Sequence, residues 1–299
     1  MFDWNDLRYL LAVADEGTLV GAARVLGVKH TTVARRIAAL EDALGSRVVR
    51  KGAERYSLTP AGEEVLALAT ELRAKADAIE RRVAGLDARV AGVVRVTMPD
   101  NVAGWFVREL PALRERYPDL VVDVLADLRV YDLLAGEADI ALRVAPAAAG
   151  DLVERKLCHP SWSVYASRAY VARRGRTIPL NEHDLIGLEG PLLSKSPGAE
   201  WYREHAPQAT FVMRCNSALQ VFKAVLMGAG VAPLPCFMGD SEPLMVRLVP
   251  DAFHNRRMRL LVPAELARLA RVRAVMDFCV ELFARDSDLF EGRRPQPEA

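Results

Sequence analysis

Residues 18–44 read TLVGAARVLGVKHTTVARRIAALEDAL, two short amphipathic segments broken at Gly27-Val28. In the first, Leu19, Ala22, Ala23 and Leu26 recur at three- and four-residue steps, and in the second Val33, Ile37, Leu40 and Leu44 do the same. That period marks a helix with one apolar stripe. The spacing predicts two helices crossing closely at the small pair Ala22-Ala23, with Gly27 taking the left-handed backbone that ends the first. Opposite the second stripe stand His30, Thr31, Thr32 and Arg35, with Arg36 on the flank. A short, polar and cationic set near a helix N-terminus suits a helix that enters the major groove of duplex DNA. A preceding segment, roughly 3–14, carries Leu7, Leu10, Leu11 and Ala14 on one face and completes a three-helix core.

After Leu44-Gly45 comes RVVRKGAERYSLT, two β-like runs joined around Lys51-Gly52. A hairpin here is a wing beside the helix. Residues 24–55 hold eight Lys or Arg against three acids, a net +5, whereas the whole chain is only +1. Positive charge is therefore concentrated on one module, where it supplies salt-dependent attraction to phosphates.

Residues 60–90 have a different texture. Pro60 fits a first helical turn and Thr59 can cap it. Apolar residues then fall at 65, 69, 72, 76, 79, 83, 86 and 90, a heptad rhythm that calls for a partner helix. One seam position holds Val65, Leu72, Ile79 and Leu86, the other Ala69, Ala76, Val83 and Val90. The expectation is a dimerisation helix, and a dimer matches two heads to two half-sites.

From residue 92 the pattern turns to α/β. The runs GVVRVTM, 120–126 and ADIALRV alternate with helical stretches at 103–117 and near 130–135. A second set follows: WSVYAS, DLIGLEG, ATFVMRC, a helix over 217–227, and GVAPLP. RMRLLVP and a helix from 268 to about 284 close the pattern. Such alternation predicts parallel sheets with crossover helices. Two units joined near Pro160 and Pro263 would leave a cleft between them, where ligands of such folds sit.

The 299 residues are 51% hydrophobic, enough for two or three domains. Cys158, Cys215, Cys236 and Cys279 are scattered without a CxxC pair; zinc is not expected, and lone thiols suit a reducing cytoplasm. No apolar run is long enough for a membrane span, and none resembles a signal peptide. GxSxG, P-loop and HExxH motifs are absent, and Gly228-Ala229-Gly230 lacks the third glycine of a dinucleotide fingerprint, so no enzyme is expected. The rival to a DNA-binding protein is a small-molecule (solute) binding protein, which the second half alone would suit.

LRYLLAVADEGTLVGAARVLGVKHTTVARRIAALEDALGSRVVRKGAERYSLTPAG resembles the winged helix-turn-helix of LysR-type transcriptional regulators almost position by position. The remainder resembles the same family through LPALRERYPDLVVDV, LLAGEADIALRV, LVERKL, VYASRAYV and VLMGAGVAPLP, so the likeness spans essentially the whole chain. It implies a multidomain fold: a winged helix-turn-helix at 1–59 and a linker helix at 60–91. A periplasmic-binding-protein-like α/β effector domain then occupies 92–290. Its subdomain I is 92–160 with 264–290 and its subdomain II is 161–263; residues 291–299 read as a disordered tail. The resemblance also implies a bacterial regulator, dimeric or tetrameric through antiparallel linker helices. Its implied partners are double-stranded DNA, a small-molecule effector and RNA polymerase, with no cofactor.

Family members often read Ser-Gln-Pro-Ala-Val-Ser-Arg at the recognition-helix entry. Here Lys29, His30, Thr31, Thr32, Val33, Ala34 and Arg35 stand there. Lys29 has no acceptor with which to cap, which leaves Thr31 or a neighbour. The expected DNA contacts are Lys29, His30, Thr31, Thr32 and Arg35, and Arg50, Lys51 and Arg55 of the wing. Arg36 is expected at a phosphate or in a partly structural role. By position in relatives, the effector-binding residues correspond to Thr97, Pro99, Asp100 and Asn101, faced by Asn216 and Ser217 at a helix start. Asp127 and Trp162 complete the set, Trp162 stacking on a ring or filling core. Asp100 sits awkwardly beside an anion, and points to a polar or cationic effector or faces solvent.

Overall fold

A computed structural model describes residues 2–52, 55–84, 89–144, 150–176, 179, 182–190, 195–253 and 256–294. The chain divides into two compact units, Met1–Glu80 and, over most of the remainder, from Arg81 onward.

In the first unit, α1 (Asp6–Glu16), α2 (Leu19–Leu26) and α3 (His30–Leu44) precede a two-stranded wing, β1 (Val49–Lys51) with β2 (Tyr56–Leu58). Thr18 caps α2 by accepting from the Gly21 amide at 3.0 Å, and Gly27 ends that helix at φ +65°. The predicted stripes meet in one core of Leu7, Leu10, Leu11, Ala22, Ala23, Val33, Ile37 and Leu40. Each large side chain so buried contributes about 1.5–3 kcal/mol. Glu41 is buried as well. Its carboxylate accepts from the Val48 and Val49 amides at 2.9 and 3.2 Å and pairs with Arg47 at 3.0 Å, fixing the wing to α3.

α4 (Pro60–Ala84) begins where Thr59 accepts from the Gly62 amide at 3.0 Å. A Cβ at residue 62 would lie 1.9 Å from the Val48 carbonyl oxygen, so only glycine lets the helix start against the wing. The predicted seam needs correction here. Val65 and Ala69 pack into the head's own core together with Leu66. The apolar row left outside is Leu68, Leu72 and Ile79, at 62, 37 and 61% exposure. Leu86, the far end of that seam, and residues 85–88 generally lie outside the described residues.

The second unit holds a five-stranded sheet in the order β4-β3-β5-β12-β6, from β3 (Gly92–Met98), β4 (Leu120–Ala126), β5 (Ile140–Arg143), β6 (Leu152–Lys156) and β12 (Arg259–Pro263). β3 runs parallel to β4 and β5, but β12 is antiparallel to both its neighbours. The sheet is mixed, and Arg259–Pro263 belongs to the first lobe, so the expected boundary at 263/264 moves to the N-terminal side of residue 259. In the second lobe β7 (Trp162–Ser167) sits between β10 (Ala232–Pro235) and β11 (Met245–Arg247), antiparallel to each. β8 (Leu185–Leu188) runs parallel to β9 (Phe211–Cys215), and a Leu185–Val231 bridge joins the two sets.

Three other expectations are corrected. The stretch 103–117 is two helices, α5 (Asp100–Val107) and α6 (Leu110–Arg116), because Pro111 has no amide to continue a helix and instead opens one. No helix forms over 130–135. There Asp127 accepts from the Arg129 amide and Asp132 from the Leu134 amide, both at 2.9 Å, local bonds that compete with helix. Residues 291–294 are not a loose tail. Arg247 donates to the Gly292 carbonyl at 2.9 Å and Arg293 pairs with Asp288 at 2.5 Å. Residues 295–299 lie outside the described residues. The remaining helices are α7 (Arg168–Arg174), α8 (Pro197–His205), α9 (Ala218–Leu226), α10 (Cys236–Gly239), α11 (Ala270–Arg285) and α12 (Ser287–Phe290).

Candidate functional site

α3 presents two sides. Val33, Ile37 and Leu40 are buried, while Lys29, His30, Thr31 and Arg35 are exposed and Thr32 is half-buried. No side chain caps α3: Lys29 occupies the N-cap position, where its carbonyl accepts from the Thr32 amide at 2.9 Å but its side chain bonds nothing. The first turn therefore keeps amides pointing outward with the positive end of the helix dipole behind them, an arrangement that receives phosphate oxygens. Arg50 and Lys51 are exposed on the wing. Among the described residues no acid pairs with Lys29, Arg35, Arg50 or Lys51.

Two expected DNA contacts are engaged within the protein. Arg36 donates to Asp3 Oδ2 and Asp6 Oδ1, each at 3.2 Å, and lies 6.0 Å over the Tyr9 ring. One step beyond Arg35, it is carried about 100° round the helix toward α1. These bonds give it the structural role that was one of the two expected for it. Arg55 is exposed, but its guanidinium donates to the Glu16 carbonyl at 3.3 Å, where a cation complements the C-terminal end of α1. Glu41 was missed in the sequence reading. An acid one residue past Leu40, on the apolar stripe, was the available signal.

The second candidate site lies between the two lobes of the second unit. Asp100 opens α5 and Ser217 is the N-cap of α9. The two converge: Ser217 Oγ donates to Asp100 Oδ2 at 2.5 Å while accepting from the Gln220 amide at 3.3 Å. Asp100 Oδ1 accepts from the Asn101 amide at 2.8 Å. Leu219 and Phe222 of α9 pack against the first lobe's core beside this contact. Thr97 is buried at the end of β3, Pro99 is the N-cap of α5, and Asn216 is exposed next to Ser217.

Asp127 and Trp162 are not drawn into this contact. Asp127 closes its own turn, accepting from Arg129 N and from the Tyr131 hydroxyl at 2.8 Å. Trp162 is buried, its backbone exchanging two 2.8 Å bonds with Phe253 and its ring lying against Gly198 at the start of α8. It fills core.

All four thiols are buried. Burial pushes Cys158 and Cys279 up to about 12 and Cys236 to about 11, leaving negligible thiolate at neutral pH. Among the described residues no cluster of His, Cys, Asp and Glu could hold a metal ion, and no helix is long and apolar enough to cross a membrane.

Comparison with known proteins bears on both sites. A family model described as "Bacterial regulatory helix-turn-helix protein, lysR family" matches residues 4–63, and one described as "LysR substrate binding domain" matches residues 87–284. The HTH-type transcriptional regulator PtxR of Pseudomonas aeruginosa is 28% identical over 293 residues, covering 94% of this chain and 93% of the relative. An HTH-type transcriptional regulator of Xanthomonas campestris pv. campestris is 29% identical over 313 residues, covering 98% and 89%. The solved structure of CbnR, a LysR family transcriptional regulator, shares the fold with a TM-score of 0.66 at 20% identity, covering 95% of this chain and 99% of that one.

Proposed function

The chain belongs to the LysR family of transcriptional regulators, and we propose that it binds operator DNA as a homodimer or homotetramer under control of a small molecule held between the lobes of its effector domain. DNA binding itself is the family's property. The further reading concerns which residues read the DNA, what pairs the subunits and what moves them.

α3 enters the major groove, with Arg35 at a base edge or adjacent phosphate and His30, Thr31 and Thr32 beside it. Arg50 and Lys51 hold the backbone from the wing. A second copy covers Leu68, Leu72 and Ile79 of α4, which otherwise leave a row of large apolar side chains in water. The effector changes the relation of the lobes only by its differential affinity for their two arrangements. The consequence passes to RNA polymerase through the geometry of the bound DNA, and no cofactor takes part.

One observation carries this reading: the cations at Lys29, Arg35, Arg50 and Lys51 stand exposed, and no side chain caps the N-terminus of α3. Each phosphate neutralised steepens the fall of affinity with salt. Gel shifts on DNA upstream of the regulated gene, run from low to high salt against scrambled competitor, test it. The expected result is a site-preferring complex that weakens steeply with salt; salt-independent or sequence-blind retention would refute the reading.

A further inference from the structure

We infer that Asp100 fills the anion position of the inter-lobe cleft with the protein's own carboxylate, so that the cleft turns carboxylate effectors away and takes an uncharged or cationic one. The inference rests on the reading of the cleft as the effector site and specifies the chemistry of that site.

Two helix N-termini meet there, and the positive end of a helix favours a negative group. In this chain the group is already built in. Asp100 Oδ2 receives the Ser217 hydroxyl proton at 2.5 Å, and Oδ1 receives the Asn101 amide at 2.8 Å. A serine hydroxyl has one proton to give. That of Ser217 is committed to Asp100, and the oxygen in turn accepts from the Gln220 amide at 3.3 Å. An incoming carboxylate therefore finds no donor left on Ser217 and a like charge beside it, which repels at close range in a partly buried site. A neutral or cationic donor meets the opposite situation. It can bind Asp100 as Ser217 does, or take its place. The contact joins residues 117 positions apart and lies where the α9 side chains Leu219 and Phe222 close onto the first lobe, so the carboxylate sits on the closing surface itself.

Removing the internal anion should create a vacancy that an external one can fill. The full-length protein and its Asp100→Ala variant are titrated with sodium acetate by calorimetry, and thermal unfolding is followed against sodium chloride at equal ionic strength. Acetate should bind Asp100→Ala at least roughly tenfold more tightly than the parent, a difference large enough to resolve by titration. It should raise that variant's Tm, whereas the parent should respond to acetate as it does to chloride. Asp100→Asn, which keeps the space filled, should show no acetate response. Asp100→Ser is the substitute if the alanine variant fails to fold. Equal acetate binding by parent and variant, or none by either small-residue variant, overturns the assignment. Neither result touches the cleft as such. That broader reading fails instead if hydrogen exchange at α5 and α9 stays unchanged in the parent under every uncharged, cationic or anionic metabolite that raises its Tm.

Discussion

The proposed DNA-reading face of the head and the proposed effector cleft treat their polar groups in opposite ways. On the head, Lys29, Arg35, Arg50 and Lys51 are exposed and no acid among the described residues meets them. In the cleft, Asp100 and Ser217 satisfy each other. A surface kept unpaired is ready for a partner that brings the missing charge. A cleft already paired accepts only a ligand that offers the chemistry one of its own groups now supplies.

The contrast holds only while the head keeps its shape, and the largest effect should come from breaking that frame. Gly62→Ala forces a Cβ to within 1.9 Å of the Val48 carbonyl, and an overlap of this size against backbone costs on the order of 3 kcal/mol or more. Circular-dichroism melting should show a destabilised head, and operator affinity should fall with it. An unshifted melt would show that the wing does not lean on α4.

Next in size is the subunit interface. Leu72→Asp places a charge in the exposed apolar row of α4, where pairing with a second copy would bury it. Sedimentation should show a shift toward monomer at micromolar protein. A parent-like profile would remove this row from the interface. The smallest expected effect concerns the thiols: Cys158, Cys236 and Cys279 should react with iodoacetamide at pH 8 only after unfolding, since burial holds them protonated well above that pH. Rapid labelling of the native protein would show that burial does not shield these thiols.

Local patterns were legible in the sequence and long-range partnerships were not. The stripes of α2 and α3, the Thr59 cap and strands such as 92–98 and 162–167 follow from periodicity within a few residues, and the structure returns them with the same bounds or nearly so. Arg36 could be read as either a phosphate contact or a structural residue because its partners Asp3 and Asp6 lie some thirty residues away, ahead of and at the start of a helix whose orientation no spacing reveals. The seam of α4 was misread at Val65 and Ala69 for a related reason, since a heptad does not say which of its residues the head will claim. β12 was assigned to the wrong lobe because pairing between Arg259 and Arg143 is a matter of topology. Asp100 was noticed as an odd neighbour for an anion, but its bond to Ser217 could come only from the fold.

The sharpest test compares two adjacent arginines of one helix. Among the described residues Arg35 has no internal side-chain partner, and Arg36 is held by Asp3 and Asp6. Operator binding by fluorescence anisotropy, with thermal unfolding measured in parallel, should separate them. Arg35→Ala should lose about 1–3 kcal/mol of operator affinity, roughly fivefold to 150-fold, with an unchanged melting temperature. Arg36→Ala should lower the melting temperature and cost affinity only in proportion to that loss. Should Arg35→Ala bind like the parent while a fully folded Arg36→Ala releases the DNA, the unpaired cations are not the reading surface.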